Sequence, residues 1–368
     1  MLRIVHITVV RNLSSGQEKQ LRWEFEAAKY LNTAQWETLV FHDGPSSAPF
    51  VKRVPFFFRS LFLRNLYAWV FAFKVSRCND FVLMRHITFD PFSFIFAPLI
   101  RNRITVHHAK DVEALRLVRR GWKGWSASFF ERLSGRYSIR HALAILGVTH
   151  EISQYQLERA MVKKPVGVYP NGINLIQIKL LDDTRFANEI HIIFLCGKFS
   201  DWQGLDKLLK AVDEHSLEKI QIPVCIHLIG QLSALQDSDI QANKARRRIF
   251  KSYGLMAESE YRPILEQCDF GLASLAVERE GLREASTLKV REMLALGLPV
   301  YSSHEDLALD RSADFVKIVK DLKLSEMIEF GMRCKKIDRA TIRKNSQNRI
   351  GKLCAMKSVI QFIENSLE

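Results

Sequence analysis

The chain has 368 residues, too many for one ordinary hydrophobic core and suited to two domains. An apolar share of 47% and a charged share of 26% exclude a disordered or low-complexity chain. Lysine plus arginine outnumber aspartate plus glutamate by 54 to 40, and the excess is uneven: residues 1–174 hold 25 against 12, residues 175–368 hold 29 against 28. The front half is thus the part expected to meet an anionic partner, nucleic acid or an anionic membrane leaflet. Six scattered cysteines without a C-x-x-C pair fit a reducing compartment and argue against structural zinc.

"MLRIVHITVV" lacks a basic leader, a long apolar stretch and a small-residue cleavage site, so it reads as a first strand and not a signal peptide. No apolar run reaches the roughly 18–20 residues that span a bilayer. "GQEKQLRWEFEAAKYL" follows with Leu21, Phe25, Ala28 and Leu31 at helical spacing. "WETLVF", "DFVLM" (80–84), "RITVHH" (103–108) and "HALAILGVT" (141–149) are short apolar runs separated by helical stretches. That alternation predicts a parallel sheet covered on both faces. "YPNGIN" (169–174) breaks the rhythm. It restarts with "IHIIFLCG", "IPVCIHLIG", "CDFGLAS" and "LPVYSS" and then runs as helices to the end. Two doubly wound domains follow, 1–170 and 171–345, with a terminal helix at 346–368 packing back towards the first. Ligands of such sheets bind beyond the carboxyl ends of the strands.

Several residues stand at those ends. Gly16 lies in the first strand-to-helix loop, where backbone can approach a ligand. Arg85 and His86 follow the "DFVLM" strand and are candidate acceptor contacts. His107 and His108 end the next strand, and alternation turns one of them towards the ligand side, where it can hydrogen-bond a sugar hydroxyl. "CGKFSDWQGLDKLLKA" (196–211) places Gly197, Lys198 and Gln203 just ahead of a helix start, whose free amides suit a phosphate. In "EGLREASTLKVREMLALGLPV" (280–300), Ser286 reads as the N-cap of a helix stopped by Gly297 and Pro299. Thr287 and Leu288 would then present amides to an anion, with Lys289 beside them. Glu292 lies more than a turn further in, where a carboxylate can take two hydrogen bonds from a ribose diol, and Glu284 lies just before the helix.

The segment 49–77 mixes aromatic and basic residues. A helical stripe of Phe58, Leu61, Phe62, Leu66, Trp69, Val70 and Phe73 is expected to pack on the sheet. Phe57, Phe58 and Phe62 with Lys52, Arg53, Arg59 and Arg64 are expected to contact an anionic membrane surface. No nucleic-acid reading module appears, so nucleic acid is not the expected partner.

"NGIN", "GKFSDWQGLDKLLKA", "IHLIGQ", "LEQCDFGLASL" and the E-x7-E pattern ending in "MLALGLPV" together resemble the retaining glycosyltransferases of family 4 over most of the chain. The resemblance implies the GT-B fold, two facing Rossmann-like domains with a deep cleft between them. It implies a nucleoside diphosphate sugar donor, UDP- or GDP-linked, with Glu292 on the ribose, Glu284 on the donor sugar and Lys198 on the diphosphate. It favours His108 over His107 as the functional histidine. One departure is Gln203, where many members carry a second basic residue; the charge would then fall to Lys198, helix amides and Lys289 or Arg283. No metal or other cofactor is expected. The expected protein is a cytoplasmic retaining transferase, peripherally attached to the inner face of the membrane. It would act on a glycan or lipid-linked glycan in bacterial surface polysaccharide assembly (O-antigen, capsule or exopolysaccharide). A UDP-sugar epimerase of the same fold and a non-catalytic partner protein are the alternatives.

Overall fold

The structure, a computed structural model, describes residues 1–118, 121–214 and 222–367, with side chains for all of these except Ser15, Leu61, Val118 and Leu367. The chain divides into two compact units, Met1–Asn174 with Gly351–Glu368, and Leu175–Ile350.

The first unit is built on strands β1 (Leu2–Val9), β2 (Ala34–His42), β3 (Val51–Arg53), β4 (Phe81–Arg85), β5 (Arg103–His107), β6 (Ala144–Gly147) and β7 (Val166–Val168). They form one parallel sheet in the order β3-β2-β1-β4-β5-β6-β7. Every residue of β5 and β6 is buried, as a strand covered by helices on both faces requires. The register sets Arg85 opposite Val106, which brings the ends of β4 and β5 together.

The helix Lys352–Leu367 closes this unit, with Met356, Val359, Ile360 and Ile363 in one core cluster with Ile4, Leu83 and Ile104. Its start is tied to the first helix, Ser15–Ala28, by a buried acid. Glu24 accepts hydrogen bonds from Tyr169 (2.7 Å), Thr38 (2.9 Å) and the Trp36 indole (3.1 Å), with His6 Nδ1 at 2.7 Å. The Lys352 ammonium stands 3.3 Å from the same carboxylate and 3.9 Å from the Tyr169 ring centre. Burial alone would raise the Glu24 pKa; His6 and Lys352 outweigh it and hold the acid well below its ordinary value.

The second unit carries β8 (Ile190–Lys198), β9 (Val224–Gln231), β10 (Phe250–Gly254), β11 (Phe270–Leu272), β12 (Val300–Ser302) and β13 (Val316–Ile318). These also form one parallel sheet, in the order β10-β9-β8-β11-β12-β13. The amphipathic helix Leu205–Asp213 buries Leu208, Leu209 and Val212 against Phe194, Ile226 and Leu228.

The 49–77 segment packs differently from its helical stripe. The helix Leu61–Val75 turns Arg64, Asn65, Ala68, Trp69 and Ala72 inwards, while Phe62 and Val70 face solvent. The Leu61 side chain lies outside the described residues. The reason is Asp43: Arg64, 3% exposed, makes a two-pronged ion pair with it and donates to the Arg59 carbonyl, so this arginine cannot reach a membrane. Phe58 is likewise drawn into the core against Tyr67, with ring centres 5.4 Å apart. Phe57 is 84% exposed, Lys52 and Arg53 are exposed, and Arg59 is half-buried with its Nε on the Val54 carbonyl.

Replacing Glu24 with alanine leaves Lys352 and His6 buried without their acid and should cost about 3–5 kcal/mol. Thermal unfolding measures it. The double variant Glu24→Leu/Lys352→Met should recover most of the loss, because it removes both buried charges.

Candidate active site

In the second unit, β8 ends at Lys198 and the chain turns through Asp201–Gln203 to Gly204. Gly204 has φ +76°, and a Cβ there would come within 2.9 Å of Leu275 backbone, so the turn requires glycine. The turn points Gln203 inwards, where it is only 6% exposed. Its Oε1 accepts from Cys196 Sγ (3.2 Å), Ser274 Oγ (3.2 Å) and the Lys289 ammonium (2.9 Å). Lys289 also lies 3.6 Å from Cys196 Sγ and 4.9 Å from the Phe194 ring centre. Burial pulls its pKa below the ordinary lysine value. Among the described residues no carboxylate pairs with it.

Gly197 and Lys198, just before this turn, are exposed, and a Cβ on Gly197 would meet nothing within 4 Å. The strand end is therefore open, and Lys198 projects from it as a second cation. A bound diphosphate would replace water at both ammonium groups.

The helix expected after Ser286 starts one residue later. It spans Leu288–Ala295 with Thr287 as its N-cap, and Thr287 makes no side-chain cap bond. Ser286 therefore does not cap it. The Thr287 amide, expected to be free for an anion, donates to Asp306 Oδ2 at 3.3 Å. Asp306 is held in turn by Arg291, a fully buried residue that reaches both carboxylate oxygens (2.9 and 2.8 Å) and the Thr287 carbonyl. This ion pair fixes the helix start against the segment after β12. Around it, Thr287 Oγ1, Ser303 Oγ and His304 Nε2 are buried without a hydrogen-bond partner among the described residues. His304 is kept neutral, its pKa lowered chiefly by burial, and it feels the charges of Asp306, Lys289 and Arg291. Glu284 sits on a short parallel bridge with Glu305. Glu292 is half-buried in the second turn of the helix, and burial, Glu258 and Glu292 push the Tyr261 hydroxyl up to about 12.

In the first unit, alternation sorts four candidate residues into two pairs. His86 and His107 stack with ring centres 4.5 Å apart inside a charged network. His86 Nε2 lies 2.8 Å from Glu131, which Arg159 also pairs at 2.9 Å. His107 has Nδ1 at 2.8 Å from Asp111 and Nε2 at 3.0 Å from Thr105 Oγ1. Both His107 nitrogens are engaged and the residue is 1% exposed, so its role is structural. The His86 side chain, 4% exposed and held on Glu131, is likewise not available to an acceptor.

Arg85 and His108 form the other pair and are only half-buried. Neither side chain hydrogen-bonds another described residue. Burial, then Arg85, His6, Lys352 and His107, hold the His108 pKa well below its ordinary value, so its ring is neutral and can accept a hydrogen bond. Gly16 lies at the start of a helix whose capping box engages the Ser14 and Gln17 amides, and a Cβ on it would meet nothing within 4 Å.

Two groups have spacings that suit a metal, His86–His107–Asp111 and His191–Cys225–His227. In the first, the Arg159 guanidinium stands 3.5 Å from Asp111 in the position of a cation. In the second, Glu189, His191, His227 and Tyr253 form a hydrogen-bonded chain with links of 3.0, 2.9 and 2.9 Å. The histidines of both sets and Asp111 are engaged in these hydrogen bonds.

No protein-family model matches the sequence, and no curated protein matches it either. Solved structures do match. HepE from Anabaena, in complex with UDP and glucose, aligns with a TM-score of 0.62 and 13% identity over 99% of this chain and 100% of its own. The apo lipopolysaccharide outer core galactosyltransferase WaaB aligns with a TM-score of 0.63 and 11% identity over 99% of both chains. Sucrose-phosphate synthase from Thermosynechococcus elongatus aligns at 0.63 and 14%, again over 99% of both. The fold is therefore GT-B, with Rossmann-like units of seven and six parallel strands.

The buried histidine network has a pH signature. Burial, with His86, lowers the His107 pKa from 6.5 to about 4 against the pull of Asp111. The unfolded chain therefore binds more protons between those values, and stability is full above about 6.5 and lost as the pH falls towards 4. Urea unfolding at about pH 7 and about pH 4.5 should show a smaller loss for His107→Gln than for the unmodified chain, by up to about 3 kcal/mol. Equal losses would place the proton uptake elsewhere.

Proposed function

We propose that the protein is a glycosyltransferase that moves a sugar from a nucleoside diphosphate sugar to a glycan acceptor. The observation that carries this reading is the Lys289 ammonium, which lies against Gln203 at the head of the helix Leu288–Ala295 without a carboxylate partner. A half-buried cation of this kind calls for an anion from outside. A diphosphate fits, because Lys198 stands at the end of β8 and Lys289 contacts Cys196 on the same strand. Solved complexes of HepE hold UDP and UDP-glucose, which makes UDP the nucleotide to test first.

In this reading Glu292 takes the ribose hydroxyls and Glu284 the donor sugar. As the glycosidic bond to the donor breaks, negative charge builds on the departing β-phosphate. Lys289 and Lys198 offset it where it develops, which is how fixed charges lower a barrier. No step requires a metal, and the reaction retains configuration at the anomeric carbon. Arg85 and His108 take the acceptor: the guanidinium suits a phosphate or a sugar hydroxyl, and the neutral imidazole can accept a hydrogen bond from a sugar hydroxyl. A lipid-linked acceptor of surface polysaccharide assembly, met at the inner face of the membrane, accounts for the basic front half and the exposed Phe57. No described helix is long and apolar enough to cross a membrane, so such contact would be peripheral.

Calorimetry with UDP tests the donor site. Lys289→Ala should raise its Kd roughly 10- to 100-fold, the worth of one charge-assisted phosphate contact. Glu292→Ala should weaken UDP about tenfold through the lost ribose bonds. Unchanged affinity in both would remove the assignment.

Lys198→Ala should lower kcat about a hundredfold with a smaller change in KM, since its charge matters most in the transition state. Sugar isomers formed from the donor alone would instead identify an epimerase.

A further inference from the structure

The helix Trp122–His141 is inverted for a surface helix. Its buried positions are, apart from Ile139, small or polar: glycines, serines, one alanine and Glu131. Its outward face carries Trp122 (75% exposed), Trp125 (64%), Phe129 (53%) and Leu133 (52%). These recur every three or four residues and so form one stripe. The inner face is small because the helix lies close over the Glu131–His86–Arg159 network: a Cβ on Gly135 would fall 2.1 Å from the Glu131 carboxylate. That explains the small residues inside. It does not explain two tryptophans and a phenylalanine in water, which is where an intermolecular surface is expected.

Beside the stripe, the next residue along the helix, half-buried Phe130, begins a second aromatic run. Phe130 packs on Phe94 (6.4 Å between ring centres) and on Phe89 (4.9 Å), and Phe89 on Phe62 (6.2 Å). Ile95 is 59% exposed on the neighbouring helix Ser93–Phe96. The exposed charges of this helix have one sign. Lys123, Arg132 and Arg140 are exposed, and the helix's single acid, Glu131, is buried beneath Arg159 and His86. Aromatic side chains at headgroup depth with basic residues among them and no exposed acid complement an anionic bilayer.

We propose that the outward face of Trp122–His141, led by Trp122, Trp125, Phe129 and Leu133 with Lys123 and Arg132, is the surface on which the protein docks onto an anionic lipid bilayer. It inserts shallowly, and Phe62 extends the same surface. The inference deepens the membrane part of the proposed function and rests on that part alone; the donor site is independent of it.

The test is flotation of the full chain with phosphatidylcholine vesicles, with and without phosphatidylglycerol, at low and high salt. The unmodified protein should float with the anionic vesicles at low salt and less at high salt. Its tryptophan emission should shift to the blue, and the shift should be lost in a Trp122→Phe/Trp125→Phe variant, since Trp23, Trp36 and Trp69 are buried and Trp202, half-buried, lies in the second unit. Trp122→Ser/Trp125→Ser/Phe129→Ser should lower the partition coefficient about tenfold or more while UDP still raises its melting temperature. Should the triple variant not fold, Lys123→Glu/Arg132→Glu, confined to exposed positions, should abolish flotation with the anionic vesicles. Flotation undiminished in folded variants would overturn the proposal. So would a stripe-dependent dimer that binds no vesicles, which would make the face an interface between copies. Loss of UDP binding with flotation intact would instead count against the donor site.

Discussion

A charge taken out of water must find an opposite charge or a ring of hydrogen bonds. This constraint organises both units. Glu24 meets Lys352, Glu131 meets Arg159, Arg64 meets Asp43, Arg291 meets Asp306 and Lys335 meets Asp269. Arg339 has no acid but donates to the carbonyls of Glu266 and Cys268. Lys289 stands apart: its contacts are an amide oxygen, a thiol and an aromatic face. The Arg85 guanidinium makes no hydrogen bond to a described residue. Both lie at or near the carboxyl end of a parallel sheet, where such folds place their ligands.

The Gln203 departure takes on a different meaning in this light. A lysine at 203 would bring its own charge to the loop. A glutamine brings none, but its carbonyl oxygen can hold an ammonium, and it holds that of Lys289. In this chain the cation at the loop sits on the helix, and the glutamine aims it. Cys196 and Ser274 donate to the same oxygen, which fixes the amide's orientation and so the lysine's position. Lys198, by contrast, is exposed at its strand end and free to follow a ligand.

The parallel sheets were legible because stretches such as "IIFLC" and "AIL" are apolar, fall within strand length and alternate with helical stretches. The edge strands were not. β3, β7 and β13 have three residues each, too few for any period, and β10 follows a basic helix that masks it. The loops with glycine and lysine could be placed because their residue types are unusual together. Which neighbour faces which side could not: Arg85 and His86, or His107 and His108, are equivalent until the register and the buried partner are known. Glu131, which draws His86 inwards, lies 45 positions away in a helix whose pattern is uninformative. The Arg291–Asp306 pair escaped for a similar reason, since an arginine beside Glu292 looks like a solvated charge. Lys289 within "STLKVRE" had only its nearness to the helix start to mark it.

One helix joins these themes. Glu131 must reach His86 and Arg159, so Trp122–His141 has to lie close to the sheet, and closeness demands glycine and serine on its inner face. Large apolar side chains on such a helix have nowhere to go but outwards. A surface helix with no external partner would carry polar residues there at no cost to the buried network. Trp122, Trp125 and Phe129 are therefore not a by-product of packing; their exposure opposes what solubility alone would favour. The network that makes His86 and His107 structural thus leaves the outer face of the same helix to a second requirement, and the chemistry of that face is what a lipid surface selects.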